Sequence, residues 1–147
     1  MPGITWLDDT VIAAGQTLAA QATDTFLIDM AGKGADVVLL SLSATFGGSP
    51  DESADLTVRG GLSPAHADTI GTVETALGIA QATSATRTDS TLLDDQYPVY
   101  KVEVMNDDTT DDITYTLRAR YGFYATKNVI SSSGMTELEM RVRAAQP

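Results

Sequence analysis

The stretch "YPVYKVEVMNDDTTDDITYTLRARY", residues 97–121, decides the fold of this chain. Apolar and polar residues alternate on both sides of a polar centre, which is the pattern of two β-strands that each bury one face. The predicted buried faces consist of Tyr100, Val102 and Val104 in the first strand, and of Ile113, Tyr115, Leu117, Ala119 and Tyr121 in the second. The sequence therefore predicts strands over Tyr97–Met105 and Ile113–Tyr121.

The short polar connector between these strands predicts an antiparallel hairpin. The polar faces of the two strands carry opposite charges. In a hairpin, Glu103 would lie near Arg118 or Arg120, and exposed pairs of this kind contribute about 0.2–1 kcal/mol each.

Four aspartates stand in the six residues Asp107–Asp112 of the connector. An EF-hand calcium loop needs about 12 residues with a central glycine and a final glutamate, and the connector has neither of these two residues. A looser calcium site and a hydrated turn are both compatible with the aspartates. Because short polar side chains bond their own backbone in turns, the hydrated turn is favoured, and we predict no metal site.

Alternation of the same kind recurs along the chain. It predicts strands within Thr25–Met30, Asp36–Phe46, Ala54–Gly60 and Glu137–Arg143, with glycine-containing turns between several of them. The segment Ala65–Ser90 is less regular and favours irregular strand and loop, with a short helix as the alternative. Several short, threonine-rich strands predict an all-β fold, namely an antiparallel β-sandwich of the jelly-roll or immunoglobulin-like kind.

The 147 residues suit one compact domain. We predict an N-terminal arm or edge strand over residues 1–20 and a β-sandwich domain over residues 21–125. Residues 126–147 are predicted to form a C-terminal loop and a strand or arm. The loop-like "ISSSGM", residues 130–135, indicates that the last strand lies apart from the main sheets or on a neighbouring subunit.

The composition excludes several classes of partner. Lys and Arg number 9 and Asp and Glu number 20, for a net charge of −11, so binding to a phosphate backbone is not expected. Residues 101–147 carry six basic and seven acidic residues, so this third can touch an acidic surface at lower electrostatic cost. Since no apolar run reaches about 18 residues and the N-terminus lacks a signal segment, we expect neither a membrane span nor signal-peptide export.

Candidate catalytic residues are scarce. The chain has no cysteine and one histidine, His66, in a loop-like context, so neither a Cys-His nor a Ser-His-Asp arrangement is indicated. Pairs of carboxylates are easy to draw among 20 acidic residues and are not specific. We therefore predict a protein that is not an enzyme, with no catalytic residue and no cofactor.

The quoted stretch resembles a recurring hairpin in small structural proteins of tailed bacteriophages, the capsid decoration or cement (auxiliary head) proteins. Tyr97-Pro98 matches the aromatic-proline start, and Val102-x-Val104-x-Asn106 matches the first strand. Residues 23–64 are similar to the opening of the same family, up to "ADLTV". The resemblance covers roughly residues 20–125. This chain has "GLSPAHAD" where many relatives have a "DG-x-x-W" turn.

The resemblance implies a non-enzymatic virion protein that is made in the host cytoplasm and binds the outer surface of the phage head. It implies the major capsid protein as partner, bridging of neighbouring capsid proteins, and a homo-oligomer, with a trimer favoured. Two alternatives remain open. One is a carbohydrate-binding β-sandwich module for host attachment. The other is a tail, connector or spike-base protein with the same fold.

The two ends of the chain supply the predicted interface residues. They are Ile4, Trp6 and Leu7 near the N-terminus, and Leu138, Met140 and Val142 in the C-terminal strand. An arm that pairs with the sheet edge of a neighbour gains main-chain hydrogen bonds, as in β-strand addition. We therefore predict that these apolar residues contact neighbouring subunits.

Overall fold

The computed structural model describes residues 3–63, 74–94 and 97–124. The strands in these ranges are β1 (Ile4–Trp6), β2 (Thr10–Leu18), β3 (Thr23–Asp29), β4 (Val37–Thr45), β5 (Ala54–Gly61), β6 (Glu74–Ile79), β7 (Thr86–Leu93), β8 (Val99–Asn106) and β9 (Ile113–Tyr124). A single helical turn, α1 (Met30–Lys33), connects β3 to β4. Within the described part of the chain, no helix has the length and apolar character that a membrane crossing requires.

The strands form two antiparallel sheets. Sheet A has the order β1-β9-β4-β7, and β2 also pairs with β9 along the edge that β1 occupies further on. Sheet B has the order β3-β8-β5-β6. Apart from β1, the orders 2-9-4-7 and 3-8-5-6 are those of an eight-stranded jelly roll, in which two Greek keys fold over each other. The predicted all-β antiparallel sandwich is confirmed.

The predicted hairpin is wrong, although both of its strands exist. Strand β8 pairs with β3 and β5 in sheet B, whereas β9 pairs with β4 and the N-terminal strands in sheet A. Residues 107–112 therefore cross from one sheet to the other. Glu103 lies on the outer face of sheet B, so it cannot pair with Arg118 or Arg120, which lie on the outer face of sheet A. Arg118 instead contacts Asp9 at 2.8 Å.

The core lies between the two sheets. Leu40 and Leu42 of β4 and Leu117 of β9 are fully buried from one side, and Leu56 and Val102 are fully buried from the other. The buried faces that the sequence predicts for β8 and β9 are the ones observed. Since alternate residues of a strand point to opposite faces, each strand turns its apolar face inward, where the opposite sheet covers it.

The turn between β3 and β4 is set by its polar and glycine residues. Asp29 caps α1 by accepting the N–H of Gly32 at 2.8 Å. Gly34 ends the helix with φ of 63°, in the left-handed region that suits glycine. This single turn aims β4 back across the sandwich into the other sheet.

The irregular segment Ala65–Ser90 contains β6 and part of β7. Its described part, residues 74–90, holds strand and no helix, so the short-helix alternative is wrong there. The predicted strand Glu137–Arg143 and the whole arm 126–147 lie outside the described residues. Residues 4–6 and 10–18, within the predicted N-terminal arm, form β1 and β2 at the edge of sheet A.

Candidate interaction surface

On the outer face of sheet A, the outward residues of β4, β7 and β9 include no acidic side chain. We call the outward residues of β4, β7 and β9 the acid-free face. They are Val37, Leu39, Ser41, Ser43 and Thr45; Thr86, Thr88, Ser90 and Leu92; and Thr114, Thr116, Arg118, Arg120, Gly122 and Tyr124. In a chain with 20 acidic residues, the acids are therefore concentrated on other surfaces.

The outer face of sheet B differs in charge. Asp55 of β5 and Glu103 of β8 point outward there, beside the basic residues Arg59 and Lys101. The edge strand β3 adds Asp29 to the same face. The two broad faces of the sandwich are thus unlike: one is mixed in sign, whereas on the other the outward residues of β4, β7 and β9 include no acid and Asp9 lies beside Arg118 at the edge.

One end of the acid-free face is a cluster of hydroxyl groups. The hydroxyls of Ser43 and Thr88 lie 2.8 Å apart, and those of Thr45 and Thr86 lie 2.5 Å apart. Both pairs join β4 to β7. Cross-strand pairs of this type stabilise a sheet and restrict the rotamers of the side chains. This end is therefore a flat, ordered, uncharged surface.

The other end combines leucine with arginine. Leu39 lies between Leu92 on β7 and Arg120 on β9. Arg120 donates from Nε to the carbonyl oxygen of Leu7 at 2.6 Å. Leu92 exposes 43% of its surface. A leucine beside an arginine suits a contact with another protein, because both side chains offer apolar surface and the arginine adds a positive charge.

Two of the predicted interface residues pack within the chain. A Cβ atom on Gly122 would lie 2.7 Å from Cγ2 of Ile4 and 2.9 Å from Cε3 of Trp6. Val37 is fully buried although it lies on the outer face, which is consistent with cover by these side chains. Leu7 is 46% exposed. The other three predicted interface residues, Leu138, Met140 and Val142, lie outside the described residues.

The aspartates between β8 and β9 bind backbone groups. Asp108 accepts N–H groups from Asp51 at 2.7 Å, Thr110 at 2.9 Å and Asp111 at 2.7 Å. Its side chain is buried. The N–H of Asp111, followed by those of the other donors, stabilises the carboxylate and holds the pKa of Asp108 well below its usual range.

Hydrogen bonds of the same kind, from backbone N–H groups to aspartate side chains, also join the loop between β4 and β5 to this connector. Asp51 accepts the N–H of Thr109 at 2.8 Å, and Asp111 accepts the N–H of Ser49 at 2.8 Å. We call residues 47–53 together with residues 106–111 the aspartate clasp. Because it ties together two loops far apart in sequence, it is a structural device, and the hydrated-turn prediction is wrong for Asp108.

Asn106 forms the base of the clasp. It is completely buried. Its Nδ2 donates to the carbonyl oxygens of Leu18 at 3.1 Å and Asp111 at 2.9 Å, and its Oδ1 accepts the N–H of Asp108 at 3.1 Å. One side chain thus joins β8, the end of β2 and the start of β9.

A carboxylate pair lies at the edge of the clasp. The Ser53 hydroxyl donates to Asp55 at 3.2 Å and to Asp107 at 3.4 Å. Partial burial, together with the hydrogen bond and charge of Asp55, raises the pKa of Asp107 to about 6. Near neutral pH this pair therefore repels, and it gains stability when it takes up a proton.

A cleft of about 300 Å³ opens between β2 and β3. It is lined by Ile12, Ala13, Gln16, Asp24, Thr25, Phe26 and Tyr115. The Tyr115 hydroxyl donates to Oδ2 of Asp24 at 2.5 Å. Burial and the Asp24 carboxylate raise the pKa of Tyr115 well above its usual range, so the hydroxyl remains a donor at neutral pH.

The described residues bring together no set of three histidine or acidic side chains that could hold a metal ion. The one histidine, His66, lies outside them. In the clasp, Asp51, Asp108 and Asp111 accept backbone N–H groups. Sequence reasoning found the aspartates but not their donors in residues 47–53, because alternation and turn composition carry no information about such distant partners.

No protein-family profile matches the chain, and no curated protein sequence matches it. Among solved structures, the chain is similar to one of infectious bursal disease virus strain Gt, with a TM-score of 0.50 and 10% identity over 82% of this chain and 32% of that one. At this identity the similarity shows the fold alone.

Lower scores were found with two smaller proteins. One is a protein of the disulfide-linked pili of Bacillus endospore appendages, with a TM-score of 0.46 and 13% identity over 84% of this chain and 91% of that one. The other is a xylan-binding domain from Paenibacillus barcinonensis, with a TM-score of 0.48 and 13% identity over 84% and 87%. At these scores neither similarity assigns a role to the chain.

Proposed function

We propose that this chain is a non-enzymatic virion protein that decorates the outer surface of a tailed-phage head and bridges its major capsid proteins. The observation that carries the proposal is the acid-free face of a strongly acidic chain. A protein with net charge −11 is repelled by most acidic surfaces. The acid-free face is the broad surface on which that repulsion is least, so it is the proposed contact with the capsid.

The size of this face favours several contacts at once. Strands lie about 4.8 Å apart and rise about 3.3 Å per residue, so three strands of eight residues cover roughly 380 Å². A stable protein contact buries about 800 Å² on each partner. One copy therefore has a small footprint, and linked copies gain avidity without new contacts. This supports the homo-oligomer, proposed as a trimer, that the sequence resemblance implies.

The arms add contact area in this proposal. Leu7 lies at the edge of sheet A beside Tyr121, and its side chain is partly exposed. Leu138, Met140 and Val142 are proposed to contact a neighbouring subunit. The location follows from the function: the protein is made in the host cytoplasm and ends on the outside of the head, away from the packaged nucleic acid.

Binding to particles tests the proposal with two matched leucines. Leu92 on the acid-free face and Leu27 on the outer face of sheet B lie on edge strands and expose 43% and 49% of their surface. Wild-type protein is mixed with expanded heads of the phage that encodes it, and bound protein is measured after sedimentation. We expect Leu92→Asp to lose binding and Leu27→Asp to keep it, with unchanged oligomer mass for both.

Two results would contradict this assignment. If the wild-type protein does not sediment with the heads, capsid decoration is wrong. If both variants bind equally well, the acid-free face is not the contact. Copy number separates decoration from a connector or tail part, since decoration implies copies across the whole head surface.

The cleft between β2 and β3 favours carbohydrate binding as a second candidate. Phe26 offers a ring face, while Asp24 and Gln16 offer the carboxylate and amide groups that hold sugar hydroxyls. A glycan array with the wild-type protein and Asp24→Asn tests it. Signal that the substitution abolishes would support attachment to a host glycan, and a blank array would remove this candidate.

A further inference from the structure

Strand β7 is a long and regular sheet edge. Its eight residues pair one to one with β4, from Val38↔Leu93 to Thr45↔Thr86, without a bulge. In residues 3–63, 74–94 and 97–124, no strand pairs with its other side. Such an edge is a template for another strand, because its outward N–H and C=O groups can complete a second ladder.

The other sheet edges are less suited to strand addition. The pairing of β2 with β9 shifts register twice, and that of β6 with β5 shifts once. The edge strand β3 is regular, but its charged residues, Asp24 and Asp29, are both acidic. A second copy of β3 would therefore bring like charges together. Among the described edges, β7 combines regular geometry with charges of both signs.

The outward backbone groups of β7 can be identified from two hydrogen bonds. The N–H of Phe46 donates to the carbonyl of Ala85 at 3.0 Å, which starts the alternation of bonds toward β4. That alternation leaves the N–H and C=O of Thr86, Thr88 and Ser90 directed away from β4. The N–H of Ser90 agrees, because it donates to the Asp89 side chain at 2.8 Å.

We propose that two copies of this chain associate by antiparallel pairing of β7 with β7, about a two-fold axis through Thr88. This register places Arg87 of each copy opposite Asp89 of the other, so the sequence Arg-Thr-Asp is complementary to itself. Thr86 pairs with Ser90 of the second copy, and about six main-chain hydrogen bonds form once the Asp89 carboxylate leaves the Ser90 N–H for Arg87 of the second copy. A contact in which the same patch meets itself is the usual form of a two-fold interface.

Charged residues at an edge often block pairing, and here they select one register. Arg87 and Asp89 are exposed although they point toward the side of the core, beside Ala44 and Leu42 of β4. A single charge at this place would repel its own copy. Arg87 and Asp89 stand one residue on either side of Thr88, so they attract each other in the register centred on Thr88. A shift of the register by two residues, in either direction, places one of these charges opposite its own kind and the other opposite an uncharged residue.

The pairing joins two copies of sheet A into one sheet. The acid-free face then continues across both copies, and its area doubles. The contact is two-fold and is independent of a three-fold arrangement. If trimers also form, each trimer carries three β7 edges, and disruption of the pairing returns the larger assembly to single trimers.

Charge reversal tests the register. The mass of the full chain is measured by sedimentation over a dilution series, without capsids. Arg87→Asp and Asp89→Arg each replace two attractive contacts by two repulsive ones, so each is expected to weaken association at least tenfold. An equimolar mixture of the two variants restores association, because the two acidic groups of one variant then face the two basic groups of the other. The double variant Arg87→Asp with Asp89→Arg restores it within one chain.

Asp94→Arg is the matched control. It makes the same charge change as Asp89→Arg just past the end of β7, at another exposed site, and it is expected to leave the mass unchanged. Circular dichroism shows whether each variant is folded. Association that survives both single reversals would overturn the proposal, as would a wild-type mass that does not rise with concentration. Single variants that separate and a mixture that stays separated would overturn the register.

Discussion

Replacing Asn106 by alanine is expected to destabilise the sandwich more than any change at an exposed residue of the same turn. The side chain is completely buried, and it makes three hydrogen bonds to backbone groups of Leu18, Asp108 and Asp111. Alanine leaves all three backbone groups without this partner. Because the site is buried, water can replace the lost bonds only if the clasp opens.

The magnitude follows from the number of bonds. A net contribution of about 0.5–1.5 kcal/mol for each of three bonds gives a loss of roughly 1.5–4.5 kcal/mol in the free energy of unfolding. For a chain of this length, 1 kcal/mol lowers the melting temperature by about 2–4 °C. The expected fall in melting temperature is therefore roughly 3–18 °C.

Urea unfolding at pH 7, followed by circular dichroism, measures the effect. Asp112→Ala is the control: Asp112 is exposed in the same turn, and the expected change is within about 0.5 kcal/mol. Asn106→Asp tests the donors separately, since a carboxylate has the same shape but faces the Leu18 and Asp111 carbonyls without an N–H. If Asn106→Ala and Asp112→Ala unfold at the same urea concentration, Asn106 does not hold the clasp together.

Three further outcomes are expected. The pKa of Asp107 is raised from 3.8 to about 6, so its proton favours the folded state: stability should rise as pH falls from 7 through 6 toward 4, and Asp107→Asn should remove this rise in urea melts across pH. Asp108, with its lowered pKa, acts oppositely, and its contribution is lost as pH falls below about 4. Gly122→Ala should displace Trp6, the single tryptophan, and shift its fluorescence to the red, whereas Gly48→Ala, with no atom nearer than 3.9 Å to the added methyl, should not.

The strands of residues 97–121 could be predicted because alternation reports which face of a strand is buried. It does not report which strand lies beside it. In a jelly roll, β8 and β9 bury their faces against each other from opposite sheets, and in a hairpin they would bury the same faces side by side. The length of the connector is the only other guide in the sequence, and six residues are compatible with both arrangements.

The clasp and β7 could not be predicted for different reasons. Asp108 and Asp51 are 57 residues apart, so their hydrogen bond depends on the fold that brings two loops together. Strand β7, by contrast, lacks the usual apolar alternation, because at the end of sheet A both of its faces are largely exposed. Its strand conformation comes from pairing with β4, whose core face is fully apolar.

The two proposed contacts use different parts of one sheet. Docking uses the outward residues of β4, β7 and β9, and self-association uses the backbone edge of β7 with Arg87 and Asp89. Since strand pairing leaves the outward side chains free, both contacts can form at once, and two joined copies present roughly 760 Å² of flat acid-free face. Charge reversal at β7 should therefore weaken capsid binding by loss of avidity, while Leu92→Asp should abolish it without changing the mass in solution. A charge-reversed chain that binds heads as tightly as the wild type would show that docking does not depend on the pairing.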